Sequence, residues 1–232
     1  MSIFKSVRSQ FAPIHPEGYP FVGGLALLSL ILFWIWAPLG WLVTVVTVWC
    51  AYFFRDPKRV TPLRDGLVVA PADGRISLIT KAVPPRELGL SDRLLPRISI
   101  FMSVFDCHVN RSPVSGRIER IVYRAGTFIN ADLDKASEDN ERNAFLINTG
   151  SRRVGVVQIA GLIARRIVPF TQEGQMVNAG DRIGMIRFGS RVDVYLPEGT
   201  AVLAAEGQTA LAGETVLADF AQTDSNRNFR VT

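Results

Sequence analysis

Gly189 and Ser190 form the pair in this chain best placed to do chemistry. They stand between two strand-like runs, Met185-Ile186-Arg187-Phe188 and Val192-Asp193-Val194-Tyr195-Leu196. A serine hydroxyl is a weak nucleophile until a neighbour takes its proton. With a base and donors for the developing oxyanion, Ser190 Oγ can attack the Gly189 carbonyl carbon. A glycine in front helps, since it has no Cβ to shield that carbonyl and tolerates a strained turn. On its own, though, a Gly-Ser dipeptide reads as a tight turn. The chain has two histidines, His15 and His108, and histidine is suited to proton transfer near neutral pH. His108 lies in Asp106-Cys107-His108-Val109-Asn110-Arg111-Ser112-Pro113. Asp73, in Pro71-Ala72-Asp73-Gly74, reads on the residues alone as the cap of its own turn. Arg111 and Arg142 carry the planar fork that suits a carboxylate or a phosphate. With two histidines, two cysteines (Cys50 and Cys107) and no Cys-x-x-Cys, no metal site is expected.

These residues need a scaffold, and the sequence has two regimes. Phe21 to Phe54 contains no charged residue and is broken at Ala37-Pro38-Leu39-Gly40. Its halves, Phe21–Ala37 and Trp41–Phe54, reach roughly 25 and 21 Å as helices, against about 30 Å of bilayer core. A helical hairpin anchor over residues 21–54 is the expectation, behind a short N-terminal segment, 1–20. Lys5 and Arg8 precede it and Arg55, Lys58, Arg59 and Arg64 follow it. Positive charge at both ends places both on the cytoplasmic side of the membrane.

Residues 55–232 change to short apolar or alternating runs paced by Gly and Pro. Strands are predicted near 66–70, 75–79, 97–103, 116–123, 144–149, 153–161, 182–187, 192–196 and 215–218, so the fold class is mainly β, a sandwich or barrel-sandwich. Two internal echoes run through it. Pro71-Ala72-Asp73-Gly74-Arg75-Ile76 matches Pro113-Val114-Ser115-Gly116-Arg117-Ile118, and Glu173-Gly174-Gln175 with Ala179-Gly180 matches Glu206-Gly207-Gln208 with Ala212-Gly213. The net charge of +5 comes without a cluster of Lys and Arg interleaved with aromatics in the polar part, so lipid rather than nucleic acid is the expected partner.

Taken together, the Gly189-Ser190 context, the Asp106–Pro113 block, Pro71-Ala72-Asp73-Gly74, Phe54-Arg55-Asp56-Pro57 and Asn140-Glu141-Arg142-Asn143 resemble the phosphatidylserine decarboxylase proenzymes, in their short bacterial and archaeal branch. The likeness runs from about Phe53 to the C-terminus. It implies that Ser190 attacks Gly189, splits the chain into a β chain (1–189) and an α chain (190–232), and becomes a pyruvoyl group. It implies decarboxylation of phosphatidylserine to phosphatidylethanolamine at the inner membrane. By the same resemblance Asp73, His108 and Ser190 form a relay, and Arg111 and Arg142 are the candidates for the phospholipid head. In longer relatives a second histidine stands where this chain has Arg111, which leaves the division of labour open. A homo-oligomer is left open as well. Two other readings remain: a decarboxylase of a related serine lipid such as archaetidylserine, and a membrane-tethered β-sandwich adaptor without chemistry.

Overall fold

A computed structural model describes residues 12–126, 140–161, 166–187, 190–222 and 229. The chain divides into two compact units, Met1–Lys58 and Arg59–Thr232.

The first unit is built on two apolar helices, α1 (Tyr19–Ile35) and α2 (Ala37–Phe53). Ser29 Oγ lies 2.7 Å from Thr44 Oγ1 and donates to the Gly40 carbonyl at 3.1 Å. Phe33 meets Trp41 edge to face. With the short preceding turn, Pro16–Ile35 is long and apolar enough to cross a membrane; Ala37–Phe53 is shorter. The expected break at Ala37–Gly40 is displaced. Only Trp36, extended at φ −158° and ψ 106°, separates the helices, and Pro38 falls in the first turn of α2. A first-turn proline has no intrahelical N–H partner to lose, so it starts a helix as readily as it ends one.

The second unit is mainly β; over the protein strand outweighs helix, 39% to 21%. Its strands are β1 (Leu67–Val69), β2 (Gly74–Ala82), β3 (Leu95–Met102), β4 (Val109–Arg111), β5 (Gly116–Arg124), β6 (Arg142–Asn148), β7 (Arg153–Ala160), β8 (Arg166–Pro169), β9 (Met176–Val177), β10 (Arg182–Arg187), β11 (Ser190–Tyr195), β12 (Ala201–Val202), β13 (Thr209–Ala210) and β14 (Val216–Asp219). A curled eight-stranded sheet has the order β13-β2-β3-β11-β7-β6-β5-β9. Two three-stranded sheets, β1-β14-β12 and β4-β10-β8, accompany it. The core gathers the inward side chains of all three, among them Ile76, Ile100, Met102, Ile118, Phe145, Val156, Ile186, Val192 and Leu217.

The echoes in the sequence mark two copies of one seven-strand frame. Arg75 pairs with Phe101 as Arg117 pairs with Asn148, and both strands carry a bulge just after the shared isoleucine. Phe101 then pairs with Arg191 as Asn148 pairs with Arg153. Val68 lies opposite Ala218 as Asn110 lies opposite Gly184. Gly207 N donates to Ile76 O at 2.8 Å and Gly174 N to Ile118 O at 2.7 Å. A Cβ on Gly74 would sit 2.1 Å from Phe101 O, and one on Gly116 would sit 2.5 Å from Asn148 O, so the same close approach demands glycine in both copies. The copy β4–β10 runs without interruption. The other consists of β1–β3 and β11–β14, with the first copy inserted between them. Where β6 and β7 are joined by the tight turn Thr149–Arg152, β3 and β11 are separated by the whole inserted copy, and the chain returns at Ser190.

Candidate active site

Ser190 opens β11 in the middle of the curled sheet. It is fully buried and paired on one side with Met102 of β3 and on the other with Ala160 of β7. Strand alternation turns it inward with Val192 and Val194. Its Oγ donates to Met102 Sδ at 3.3 Å. Gly189 lies outside the described residues.

His108 precedes β4 and is fully buried. Its Nδ1 is 3.0 Å from the Asp106 carbonyl. A carbonyl oxygen only accepts, so Nδ1 carries the proton and neutral His108 holds its basic lone pair on Nε2. A backbone carbonyl therefore fixes the tautomer, a contact the relay expected from the resemblance did not include. His108 O in turn accepts from Ile186 N at 3.4 Å, tying the histidine to β10.

Asp73 sits in the turn before β2. Its Oδ1 accepts from Ala212 N at 2.8 Å, and its Oδ2 takes Arg59 NH2 at 2.5 Å. The following Gly74 is packed against Phe101 and Met102, so this turn abuts the residue that holds the Ser190 hydroxyl. Arg111, in β4, is buried and donates to the Gly180 carbonyl at 2.8 Å; its backbone N–H bonds Pro71 O in the same Asp73 turn. Arg142 is placed differently. It shares a face of β6 with Ala144 and Leu146, opposite to Asn143 and Phe145, and forks onto Glu87, with Nε at 2.7 Å and NH2 at 2.5 Å. Burial alone would raise the Glu87 carboxyl, but its backbone hydrogen bond and Arg142 outweigh that and hold it below the ordinary glutamate value. The structure thus brings Ser190, Asp73 and Arg111 to segments around Met102 and sets Arg142 on the other face of the sheet.

That other face carries a separate ionic cluster. Arg191 Nε lies 2.9 Å from Asp193 Oδ1, and Arg97 lies 4.0 Å from the same carboxylate. Tyr195 beside them is pushed up to about 12, first by burial and then by the Asp193 charge.

Four further polar or sulfur side chains connect to Ser190 through Met102: Met102 itself, Asn110, Gln158 and Asn143, of which Asn110 and Asn143 lie in the motif blocks and Gln158 was not singled out in the sequence. All are buried. Gln158 carried a signal, as the one polar residue in Val154-Gly155-Val156-Val157-Gln158-Ile159-Ala160.

The sequence model of the phosphatidylserine decarboxylase family matches residues 46–218. A protein of Nitrobacter winogradskyi, named phosphatidylserine decarboxylase proenzyme, is 70% identical over 227 residues, covering 97% of this chain and 92% of that one. The chain belongs to the phosphatidylserine decarboxylase family. For a member of that family the position of Ser190 has a direct structural consequence. A break before it would leave β1–β10 in one chain and β11–β14 in the other. β11 lies between β3 and β7, β13 pairs with β2, and β14 pairs with β1, so the two pieces would remain one folded body.

Proposed function

We propose that this decarboxylase matures by cutting its own backbone between Gly189 and Ser190, and then converts phosphatidylserine to phosphatidylethanolamine and CO₂. In the first step Ser190 Oγ bonds to the Gly189 carbonyl carbon, the Gly189–Ser190 C–N bond breaks, and an ester joins the two residues. Loss of the Ser190 Cα proton then expels the Gly189 carboxylate and leaves a dehydroalanine end. Addition of water and release of ammonia turn that end into a pyruvoyl group. The observation that carries this reading is the setting of Ser190: buried, on a central strand, its hydroxyl turned inward, with chain from both sides of the bond holding the strand in place.

The residues present suit such a group. Strand β11 fixes the backbone of residue 190 by pairing on both sides, and the space its side chain occupies is lined by Met102 and Ala160. Once formed, a pyruvoyl group supplies the electron sink for the pair left when CO₂ departs. His108 Nε2 is the proton acceptor for the serine and the proton carrier for the product carbon. Asp73, an anion paired with Arg59, supports a positive imidazole from the neighbouring turn. Arg111 serves the anionic head of the lipid. Arg142, on the other face of the sheet and forked onto Glu87, is given no part in holding the head. The apolar helices of residues 21–54 sit in the membrane with Lys and Arg at both ends on the cytoplasmic side, which keeps the diacyl substrate in the bilayer.

Intact mass spectrometry tests the reading. The wild type should give two chains, the smaller spanning 190–232 and lacking a free N-terminal amine. Ser190→Ala should give one chain and no decarboxylation. An uncut protein that is active overturns the scheme.

A further inference from the structure

Three buried primary amides run head to tail toward the scissile serine. Asn143 Nδ2 donates to Gln158 Oε1 at 3.0 Å, Gln158 Nε2 donates to Asn110 Oδ1 at 2.7 Å, and Asn110 Nδ2 donates to Met102 Sδ at 3.6 Å. The same sulfur receives the Ser190 hydroxyl at 3.3 Å. The chain crosses four strands, β6, β7, β4 and β3, to reach β11. Space has been cleared for it: a Cβ on Gly184 would come within 2.9 Å of Gln158 Nε2.

The frame does not require these groups. By the pairings that define the two copies, Asn110 corresponds to Val68, Gln158 to Leu196, Asn143 to Pro96, and Met102 in turn to Thr149. Val68 and Leu196 are as fully buried as the amides they match. Burying a polar group costs free energy unless it is bonded, and an apolar side chain meets the same packing need without that demand. The amides occur only on the side of Ser190; their counterparts, on the side of its equivalent Arg152, are not amides.

We infer that Asn143, Gln158 and Asn110 form a positioning relay that fixes the Met102 thioether, and through it the Ser190 hydroxyl, for the attack on Gly189. Methionine has three rotatable bonds and wanders among rotamers unless something holds it. The Asn110 N–H holds the sulfur, Gln158 orients Asn110, and Asn143 orients Gln158. Sulfur is a weak acceptor, so it sets the direction of the hydroxyl while leaving its proton easy to transfer. Fixing a reacting group in one geometry removes an entropic part of the barrier.

The inference rests on self-cleavage at Ser190, so the experiment separates the two. Wild type, Gln158→Leu and Met102→Leu are synthesised as full chains, and the conversion of the single chain into two is followed in time. Gln158→Leu installs the residue the other copy uses, and Met102→Leu conserves volume, a swap cores tolerate well. Both variants should melt within a few degrees of the wild type yet cut about tenfold more slowly. The double variant should be no slower than the singles, since both act through one sulfur. Hydroxylamine, which cleaves an ester once it has formed, should not restore the rate, because the slowed step is the attack that forms the ester. Wild-type cutting rates in folded variants overturn the relay, as does full rescue by hydroxylamine. If Gln158→Leu does not fold, Met102→Leu carries the same test. An uncut wild type refutes self-cleavage itself.

Discussion

The two copies of the strand frame share registers, bulges and turns, and they differ in the residues that can do chemistry. Gly66 stands where the other copy has His108: Phe220 N bonds Gly66 O as Ile186 N bonds His108 O. Ser115 stands for Asp73, and Arg152 for Ser190. Gly66, Ser115 and Arg152 all line one cleft of about 760 Å³, together with Thr149 and Phe220. The counterparts of the proposed relay residues therefore converge, and the plain side chains there show what the frame needs at each place. Ser115 Oγ accepts from Ala179 N at 2.9 Å, the bond that Asp73 Oδ1 makes to Ala212 N. A serine is enough to cap this turn. The second oxygen of Asp73 and its charge are not needed to cap the turn.

Asp73→Ser puts that to the largest test. The new hydroxyl keeps the bond to Ala212 N and removes the charge. Cutting of the precursor should fall by about 10⁴-fold, the scale on which a histidine suffers when its carboxylate partner is lost. Gel densitometry over hours to days reads it. Arg59 loses its partner, so melting should drop modestly. Normal cutting in this variant would reduce Asp73 to a turn cap and break the comparison at its centre.

The outer face gives the next largest effect. Arg97, Asp193 and Tyr195 have the plain counterparts Ala144, Gly155 and Val157. Asp193 is fully buried against Arg191 and Arg97. Removing one member of a buried ion cluster strands the others, at about 3–5 kcal/mol. Asp193→Ala should lose that much in urea titration of the mature protein. A loss under about 1 kcal/mol would mean the cluster matters as little as Gly155 suggests.

Much of this was legible in the sequence. The alternation of Gly116–Tyr123 and Arg153–Gly161 gave β5 and β7, and the charge-free stretch gave α1 and α2, because period and composition act over many residues. The two-residue strands β9, β12 and β13 escaped, since two residues carry no period; their partners β5, β14 and β2 create them. Pro38 misled because proline both ends and begins helices. The echoes showed a repeat but not that one copy lies inside the other, which is a fact of pairing between β3 and β11 across the inserted strands. At the site, Ser190, His108 and Asp73 were named from motifs. The face of Arg142 was open to parity, yet only the register with Ile159 and the Glu87 pair settle which side it takes. Asn110, Gln158 and Met102 look like ordinary strand residues until three segments meet.

Alkaline titration sharpens the contrast between the two outer faces further. Tyr195 ionises near 10 in an unfolded chain and near 12 in the fold. Its contribution is complete below pH 10 and fades as pH rises toward 12, because the unfolded chain gives up the proton first. The loss should approach about 2–3 kcal/mol at the top of that window. Wild type should lose stability relative to Tyr195→Phe as pH climbs from 10 to 12. Parallel curves would show that burial and Asp193 do not hold the proton on Tyr195.

The smallest effect belongs to the plain counterpart of the site. Ser115→Ala deletes the hydroxyl that caps Ala179 N and touches nothing on the side of Ser190. A lost cap of this kind costs about 1 kcal/mol, visible as a shift of a few degrees in melting, and the cut before Ser190 should proceed at the wild-type rate. Asp73→Ala deletes the matching cap and the charge together, so it should show that melting loss plus the further modest drop from the lost Arg59 contact, and the collapse in cutting already expected of Asp73→Ser. The difference between the two alanine variants then isolates what the carboxylate adds to a turn that serine can close. If Ser115→Ala slows cutting as strongly as Asp73→Ala, both turns reach Ser190 through the frame alone, and the contrast between the site of Ser190 and its plain counterpart fails.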